Sequence, residues 1–191
     1  MARPRLHDEA LRTRLLEVAS QVISTAGPTA LTVRDVAHAA GTSPSAVYAL
    51  FGSRDALLAE VAEEGFRRFA AHLAAVPATG DPGADLLALG LAYRTSALAD
   101  PHFYRVMFER TSTSPVATAD RATFAVLRDA VARLLAARGL DHDADEPALG
   151  LWAQVHGLVA LELAGLLPGT AAERADRYAR VLRAAGRGVF G

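Results

Sequence analysis

A cluster of small polar side chains precedes a tyrosine in the stretch GTSPSAVYALF, residues 41–51. Small hydroxyl and methyl groups approach base edges and phosphates closely, and an alanine methyl can contact the methyl group of thymine. A tyrosine hydroxyl can donate to a phosphate while its ring packs on its own helix. This chemistry suits the major groove of DNA, and the residues that could supply it are Thr42, Ser43, Ser45, Ala46 and Tyr48.

The elements that must position these side chains are two short helices and the turn between them. Thr32 is predicted to cap the first helix, with Asp35 in its first turn, and Gly41 follows its last turn, where a left-handed residue is needed. Ser43 is predicted to cap the second helix, with Pro44 at its first position. Two helices joined by a short turn that contains glycine form a helix-turn-helix. The second helix has barely two turns, so its neighbours must hold it.

The hydrophobic pattern predicts which side of this helix pair is buried. The residues predicted to face inward are Leu31, Val36, Ala37, Ala40, Val47 and Phe51. The polar tip of the second helix is then left on the outside. On this pair alone, an ordinary corner in a helical protein is as good an interpretation as DNA binding.

Composition excludes several kinds of site. The chain has 191 residues, half of them apolar, and no cysteine, which excludes disulfides, thiolate metal sites and cysteine nucleophiles. It has no Gly-rich phosphate loop, GxSxG or HExxH motif, so no catalytic residues are assigned and no enzyme is predicted. The stretch DHDADE, residues 141–146, is interpreted as a solvated loop and helix cap, so neither a metal nor a cofactor is predicted. With no signal peptide and no apolar run of membrane length, we predict a cytoplasmic protein without a membrane partner.

The net charge of −1 hides an asymmetry along the chain. Residues 1–54 carry six arginines against four acids, whereas the remainder carries 14 arginines against 17 acids. The excess of positive charge at the N-terminal end favours a polyanionic partner there. Arg3 and Arg5 are therefore candidate DNA contacts.

Nearly the whole chain is predicted to be helical, because Ala, Leu, Arg and Glu dominate and strand-like alternation is missing. A helix at about 7–26 precedes the helix-turn-helix, and a long helix capped by Ser53 follows it to about residue 76. The remaining helices are predicted at about 83–99, 101–111, 116–138, 145–167 and 170–187. The predicted fold class is therefore all-α, with about nine helices.

The stretch LTVRDVAHAAGTSPSAVYALFGSRDALLAEV, residues 31–61, resembles the tetracycline-repressor family of bacterial transcriptional regulators. The resemblance implies an N-terminal three-helix DNA-binding head, residues 1–53, and a helical body for ligand binding and dimerisation, residues 54–191. It also implies a homodimer on a palindromic operator of double-stranded DNA. Leu50 stands where many members place a phosphate-contacting histidine, so that contact is lost here. The positions that the resemblance assigns to DNA contact are Thr32, Thr42, Ser43, Ser45, Ala46, Tyr48 and Arg54. Arg34, near the start of the first short helix, is a further candidate.

The C-terminal part resembles one subgroup of the same family. The matching stretches are FYRVMFER, residues 103–110, and LWAQVHGLV, residues 151–159, which contains a Trp-x-x-x-His-Gly signature. Members of that subgroup share a body fold and do not share one known ligand, so the effector stays an unknown small molecule.

The helical body is predicted to hold an apolar pocket. Ligand pockets are mostly apolar and carry few polar groups. Core packing is the alternative for each candidate residue, and a core or dimer-face hydrogen bond is the alternative for His156. The candidate ligand contacts are Tyr93, Phe103, Tyr104, Met107, Phe108, Phe124, Leu127, Trp152 and His156.

The helix predicted at about 145–167 is apolar nearly all round, which predicts burial on all sides. In a body this small, such burial favours contact with a second subunit. Together with the amphipathic helix at about 170–187, it could form a four-helix bundle between two chains. A core helix of a monomer is the alternative.

We therefore predict a ligand-responsive, DNA-binding transcriptional regulator, most simply a repressor released from its operator by a small apolar or aromatic molecule. Two alternatives stay open. One is an all-α small-molecule binding protein or enzyme with a vestigial helix-turn-helix head. The other is a dimeric scaffold whose helix pair contacts protein rather than DNA.

Overall fold

The computed structural model describes the backbone of residues 5–108 and 118–190 and the side chains of residues 8–108 and 122–187. Arg3 and the side chain of Arg5 lie outside this part. The described backbone is helical and contains no strand, which confirms the all-α prediction. Its elements are α1 Arg5–Ala26, a 3₁₀ turn Pro28–Ala30, α2 Val33–Ala39, α3 Pro44–Phe51, α4 Arg54–Ala74, α5 Pro82–Ala99, α6 Pro101–Phe108, α7 Thr118–Ala137, α8 Asp145–Leu163 and α9 Ala171–Phe190.

Helix α8 ends four residues earlier than its apolar pattern predicts. Gly165 adopts a left-handed conformation with φ 71°. Its N–H donates to the Glu162 carbonyl at 3.0 Å, and the Leu166 N–H donates to the Leu161 carbonyl at 3.0 Å. These two bonds form a Schellman motif, which ends a helix whatever the hydrophobicity of the residues that follow. The predicted end at residue 167 was therefore wrong.

Other predicted helix ends differ by small amounts, and α9 ends at Phe190 rather than at about residue 187. Helix α4 ends at Ala74 rather than at about residue 76. The predicted helix 101–111 is helical over 101–108, and its last three residues lie outside the described part. The first two residues of the helix predicted at 116–138 also lie outside it.

The chain packs as two compact units. The first unit comprises residues 1–66 and 100–115, and the second comprises residues 67–99 and 116–191. The division between them falls inside α4. The predicted boundary at residue 53, between a DNA-binding head and a ligand-binding body, stays a prediction.

The core of the first unit is built from α1 to α4. Buried leucine, isoleucine and alanine side chains of α1 pack against the two short helices and the start of α4. All six residues predicted to face inward from the helix-turn-helix are buried, with exposed fractions between 0% and 7%. The short helices therefore owe their stability to this packing, as their length requires.

The core of the second unit lies between α5, α7, α8 and α9. Val131, Leu134 and Leu135 of α7 pack against Ala148 and Leu151 of α8. Tyr178 and Leu182 of α9 are buried as well. No helix in the described part of the chain is both long enough and apolar enough to cross a bilayer.

Candidate functional site

Local hydrogen bonds fix the turn that leads into α3. The Thr32 hydroxyl oxygen accepts from the Asp35 N–H at 3.1 Å, and the hydroxyl donates to the Asp35 carboxylate at 2.6 Å. After α2, Gly41 has φ 68°, and the Thr42 N–H donates to the Ala37 carbonyl at 2.9 Å. Only glycine adopts this left-handed conformation without steric cost, so the turn direction is set by the sequence.

The first turn of α3 presents the predicted DNA-contacting groups at the surface. The Ser43 hydroxyl oxygen accepts from the Ala46 N–H at 3.3 Å and lies 2.8 Å from the Ser45 hydroxyl. Ser43 and Ser45 are exposed, Thr42 and Ala46 are half-buried, and Tyr48 is 52% exposed. Burial of Val47 and Phe51 on the opposite side of α3 holds these groups outward. The structure thus brings all five residues to one exposed helix tip.

Arg54 has a role within the first unit. Its Nε donates to the Leu31 carbonyl at 2.8 Å, and its Nη2 donates to the Pro28 carbonyl at 2.7 Å. These bonds join the start of α4 to the segment that precedes α2. Arg34 and Thr32 are exposed on α2 and at its cap. The DNA contacts of these residues stay predictions, and the guanidinium of Arg54 already has three protein partners, since its Nη1 also lies 3.6 Å from the Asp55 carboxylate.

Arg12 is a positioning residue that the sequence interpretation missed. Its Nη1 donates to the Leu50 carbonyl at 3.1 Å, its Nη2 pairs with Glu60, and its Cζ lies 4.8 Å from the centroid of the Phe51 ring. The side chain therefore connects α1 to the end of α3 and to α4. The carbonyl at position 50 is used for this connection, whereas its leucine side chain offers no hydrogen bond. The only sequence signal is an arginine at the edge of the apolar stripe of α1.

Replacing Arg12 with methionine is expected to lower the free energy of unfolding by about 1–2 kcal/mol, because a partly buried carbonyl and a carboxylate lose a charged partner. The methionine keeps the apolar stem, so packing changes little. Urea unfolding followed by circular dichroism measures the effect. Arg14→Met, at an exposed position on the same helix, is the matched control, and equal losses in both variants would refute the role of Arg12.

The second unit contains an apolar cavity of about 270 Å³. Its lining comprises eight leucines, one valine, one tyrosine, three glycines and three arginines, contributed by α4, α5, α8 and α9 and by α7 with Arg138 just beyond it. Tyr93 and Leu127 are the two predicted ligand contacts among them. Gly90 also lines the cavity, and a Cβ there would lie 2.7 Å from Leu182 Cδ1, so α5 and α9 approach closely at this point.

The other predicted ligand contacts do not line this cavity. Tyr104 and Met107 are buried in the first unit, where a side chain at Gly65 would collide with Phe103. Phe108 packs edge-on against Phe66 at 5.2 Å between ring centroids. In the second unit, the rings of Phe124 and Trp152 lie 5.6 Å apart. These aromatic residues pack against one another, and ligand contact by them stays a prediction.

His156 lies next to the cavity rather than in its lining. The Tyr93 hydroxyl is 3.4 Å from His156 Nδ1, and the Tyr93 ring packs edge-on against Phe69 at 4.9 Å. Partial burial holds the pKa of His156 below its ordinary value of 6.5, because it disfavours the charged imidazolium. A neutral imidazole next to a tyrosine hydroxyl fits the interpretation of a hydrogen-bonded core histidine.

Three charged side chains join α5, α8 and α9 at one end of the second unit. Arg94 forms a bidentate ion pair with Glu162, in which both N–O distances are 2.7 Å. Arg174 Nε lies 3.2 Å from the same carboxylate. The two arginines hold the pKa of Glu162 below its ordinary value of 4.5, since they stabilise the ionised form. Nearby, the Tyr178 hydroxyl donates to the Gly90 carbonyl at 2.9 Å, and burial raises the pKa of Tyr178.

Helix α8 leaves one face of small and apolar side chains uncovered in the single chain. Leu149 is 56% exposed and Leu161 is 42% exposed. Between them lie two glycines, 150 and 157, at which an added Cβ would meet no atom within 4 Å, and the exposed alanines Ala153 and Ala160. The glycine and alanine spacing of three and four residues keeps this face on one side of the helix.

No group of three or more histidine, aspartate or glutamate side chains within the described residues is close enough to hold a metal ion. In the acidic stretch after α7, the Asp143 carboxylate accepts from the Asp145 N–H at 3.1 Å at the start of α8. The Asp143 carboxylate therefore interacts with the backbone of the first turn of α8.

Two family models match the sequence and together cover most of it. Residues 15–61 match the model of bacterial regulatory proteins of the tetR family, and residues 86–185 match that of the tetracycline-repressor-like C-terminal domain. The chain belongs to the tetracycline-repressor family. The N-terminal match includes α2 and α3, so the exposed tip of α3 belongs to the family's helix-turn-helix, and the protein is a ligand-responsive DNA-binding regulator.

Several solved structures share this fold. A protein of unknown function from Rhodococcus sp. RHA1 is 29% identical, with 93% of this chain and 94% of that chain covered and a TM-score of 0.81. A transcriptional regulator from Rhodococcus sp. Rha1 is 24% identical over 93% and 96% of the two chains, with a TM-score of 0.71. A bacterial regulatory protein of the tetR family from Rhodococcus RHA1 is also 24% identical, over 94% and 96%, with a TM-score of 0.68. No curated protein matches the sequence at a significant level.

Membership in the tetracycline-repressor family supports operator DNA and a second copy of the chain as partners. The more specific likeness of its C-terminal part to the Trp-x-x-x-His-Gly subgroup stays a prediction.

Proposed function

We propose that the protein is a cytoplasmic repressor that binds a palindromic operator as a homodimer and leaves it when a small apolar molecule enters the body. It acts by binding rather than by catalysis. The observation that carries the proposal is the exposed tip of α3, where two serine hydroxyls and a half-exposed tyrosine stand on a helix held by a buried core. In a helix-turn-helix protein the second helix enters the major groove, and its N-terminal residues contact base edges.

The proposed dimer interface is formed by α8 and α9 of two chains. The uncovered face of α8 carries glycine and alanine between exposed leucines, which permits close approach of a second helix. A twofold axis through this face brings the same residues of both chains together, as in most homodimers. Two copies of α3 would then read two half-sites whose separation is about 34–36 Å or a multiple of it.

The proposed effector site is the cavity of the second unit. Leu73, near the end of α4, lines this cavity, and α4 begins with Arg54, three residues after the last residue of α3. A ligand that displaces α4 at Leu73 can thereby change the geometry available to the two copies of α3. It weakens DNA binding only to the extent that it binds the released arrangement more tightly than the DNA-bound one.

Substitution of Tyr48 tests whether the exposed tip of α3 contacts DNA. Tyr48→Phe removes one hydroxyl and is expected to weaken specific binding about tenfold, and Tyr48→Ala more, because a phosphate hydrogen bond and the ring contact are lost. Tyr48 is half-exposed, so the free energy of unfolding should change little. Electrophoretic mobility shift or fluorescence anisotropy measures the affinity.

The control is Leu140→Ala, at an exposed apolar residue of the second unit. It should bind DNA like the unmodified protein. Unchanged affinity in Tyr48→Ala would contradict the proposed contact. Absence of any specific binding by the unmodified dimer would favour the alternative of a small-molecule binding protein with a vestigial head.

A further inference from the structure

The cavity of the second unit combines aliphatic walls with three arginines. Its inner lining is almost wholly aliphatic, with buried Leu89, Leu134 and Leu151 among its eight leucines and Tyr93 as its one aromatic residue. The charged residues of the lining are all arginines, and no carboxylate is among them. A cavity whose lining combines apolar walls with guanidinium groups suits a molecule with an apolar body and an anionic end.

Two of the three arginines that line this cavity lie on α9, and the third follows α7. Arg183 and Arg187 lie one turn apart on α9 and are exposed. Neither has an acidic residue three or four positions away on its own helix, and neither forms an ion pair within the part of the chain that the structure describes. Arg138, just after α7, lines the same cavity. Two neighbouring guanidinium groups can bind a carboxylate through paired N–H donors.

The cavity volume sets the size of the apolar part. An apolar cavity of about 150 Å³ is known to hold benzene, which has six heavy atoms. The 270 Å³ cavity therefore accommodates roughly a dozen heavy atoms at similar packing. Leucine walls offer no flat aromatic platform, so a flexible aliphatic chain can follow their contour better than a rigid ring system.

We propose that the effector is an amphipathic anion, an unbranched aliphatic acid of roughly eight to ten carbons. Its chain lies among the leucines, and its carboxylate meets Arg183 and Arg187 at the exposed end of the cavity. This assignment rests on the proposed function only in taking the cavity as the effector site. It adds the charge and shape of the ligand, which decide what class of molecule the regulator senses.

Isothermal titration calorimetry on the dimer without DNA tests the assignment, with decanoate, decanol and decyltrimethylammonium as probes at concentrations far below micelle formation. Decanoate is expected to bind at least about tenfold more tightly than decanol, and the cation weakest, because only the carboxylate gains charge-assisted hydrogen bonds. Equal or tighter binding of decanol, or no binding of any probe, would overturn it.

Two variants distinguish binding of the ligand's carboxylate from binding of its aliphatic chain. Arg183→Gln combined with Arg187→Gln should reduce decanoate affinity about tenfold and leave decanol affinity unchanged, because both side chains are exposed and the fold is kept. Arg180→Gln, exposed on the same helix and outside the cavity lining, is the matched control and should bind like the unmodified protein. Equal loss in the control and in the double variant would show a general charge effect and refute the site.

The test distinguishes this inference from the proposed function. Binding of decanoate is measured without DNA, and release from the operator is measured afterwards by adding decanoate to the protein–DNA complex. Binding without release supports the anion site and contradicts release by this ligand. Release by a neutral apolar molecule without binding of decanoate supports the repressor proposal and contradicts the anion site.

Discussion

Replacing Ala153 with arginine is expected to convert the dimer to a monomer and to lower operator affinity by more than about 100-fold. Ala153 lies in the uncovered small-residue face of α8, where an arginine would separate two facing helices and place like charges near the twofold axis. A monomer binds one half-site, and the gain from simultaneous binding of two half-sites is lost. Size-exclusion chromatography with light scattering measures the mass, and fluorescence anisotropy measures the affinity.

Ala136→Arg makes the same change at an exposed position of α7 and is the matched control. It should remain dimeric and bind the operator normally. If Ala153→Arg stays dimeric with unchanged affinity, the dimer interface lies elsewhere on the molecule.

Replacing Glu162 with glutamine is expected to lower the free energy of unfolding by about 3 kcal/mol at neutral pH. The Glu162 side chain is 5% exposed and accepts from both Arg94 and Arg174, so its loss leaves two guanidinium groups facing a neutral amide. Urea denaturation at a fixed protein concentration measures the change. A double variant, Arg94→Met with Glu162→Leu, replaces the more buried pair by apolar groups and should recover a large part of the loss.

The same carboxylate gives a pH dependence whose sign follows from its lowered pKa. The folded state holds the ionised form more strongly than the unfolded state does, so the stabilisation is complete above the ordinary glutamate value of 4.5. It is lost as pH falls through the lower pKa of the folded state. The difference in unfolding free energy between the protein and Glu162→Gln should therefore narrow in acid. A loss below about 1 kcal/mol at neutral pH, or no narrowing, would contradict the role of this network.

Local sequence signals made the helix-turn-helix predictable. Thr32, Ser43 and Ser53 cap the helices that follow them, and each cap involves groups within three residues, so sequence spacing is sufficient. Gly41 marks the turn for the same reason, since its positive φ is a property of one residue. The end of α8 is not evident from hydrophobicity, because Gly165 lies inside an apolar run that continues to Pro168.

Long-range pairing was not predictable. Arg12 meets Glu60, and Arg94 meets Glu162, across 48 and 68 residues, and neither pair leaves a periodic signal in the sequence. The aromatic residues of α6 illustrate a second difficulty. Core packing and pocket lining use the same residue types, so the sequence could not show that Tyr104 and Met107 would be buried in the first unit. Tyr93 and Leu127 line a cavity, and ligand contact by them stays a prediction.

The central claim, that the exposed tip of α3 reads DNA on behalf of a dimer, is tested most directly by one titration. The dimer is titrated against DNA from upstream of its own coding sequence and against unrelated DNA, at about 50 and about 200 mM salt. We predict tighter binding to the upstream DNA, an affinity that falls steeply with salt as phosphate contacts are screened, and loss of the preference in Tyr48→Ala. Equal, weak and salt-independent association with both DNAs would contradict the claim.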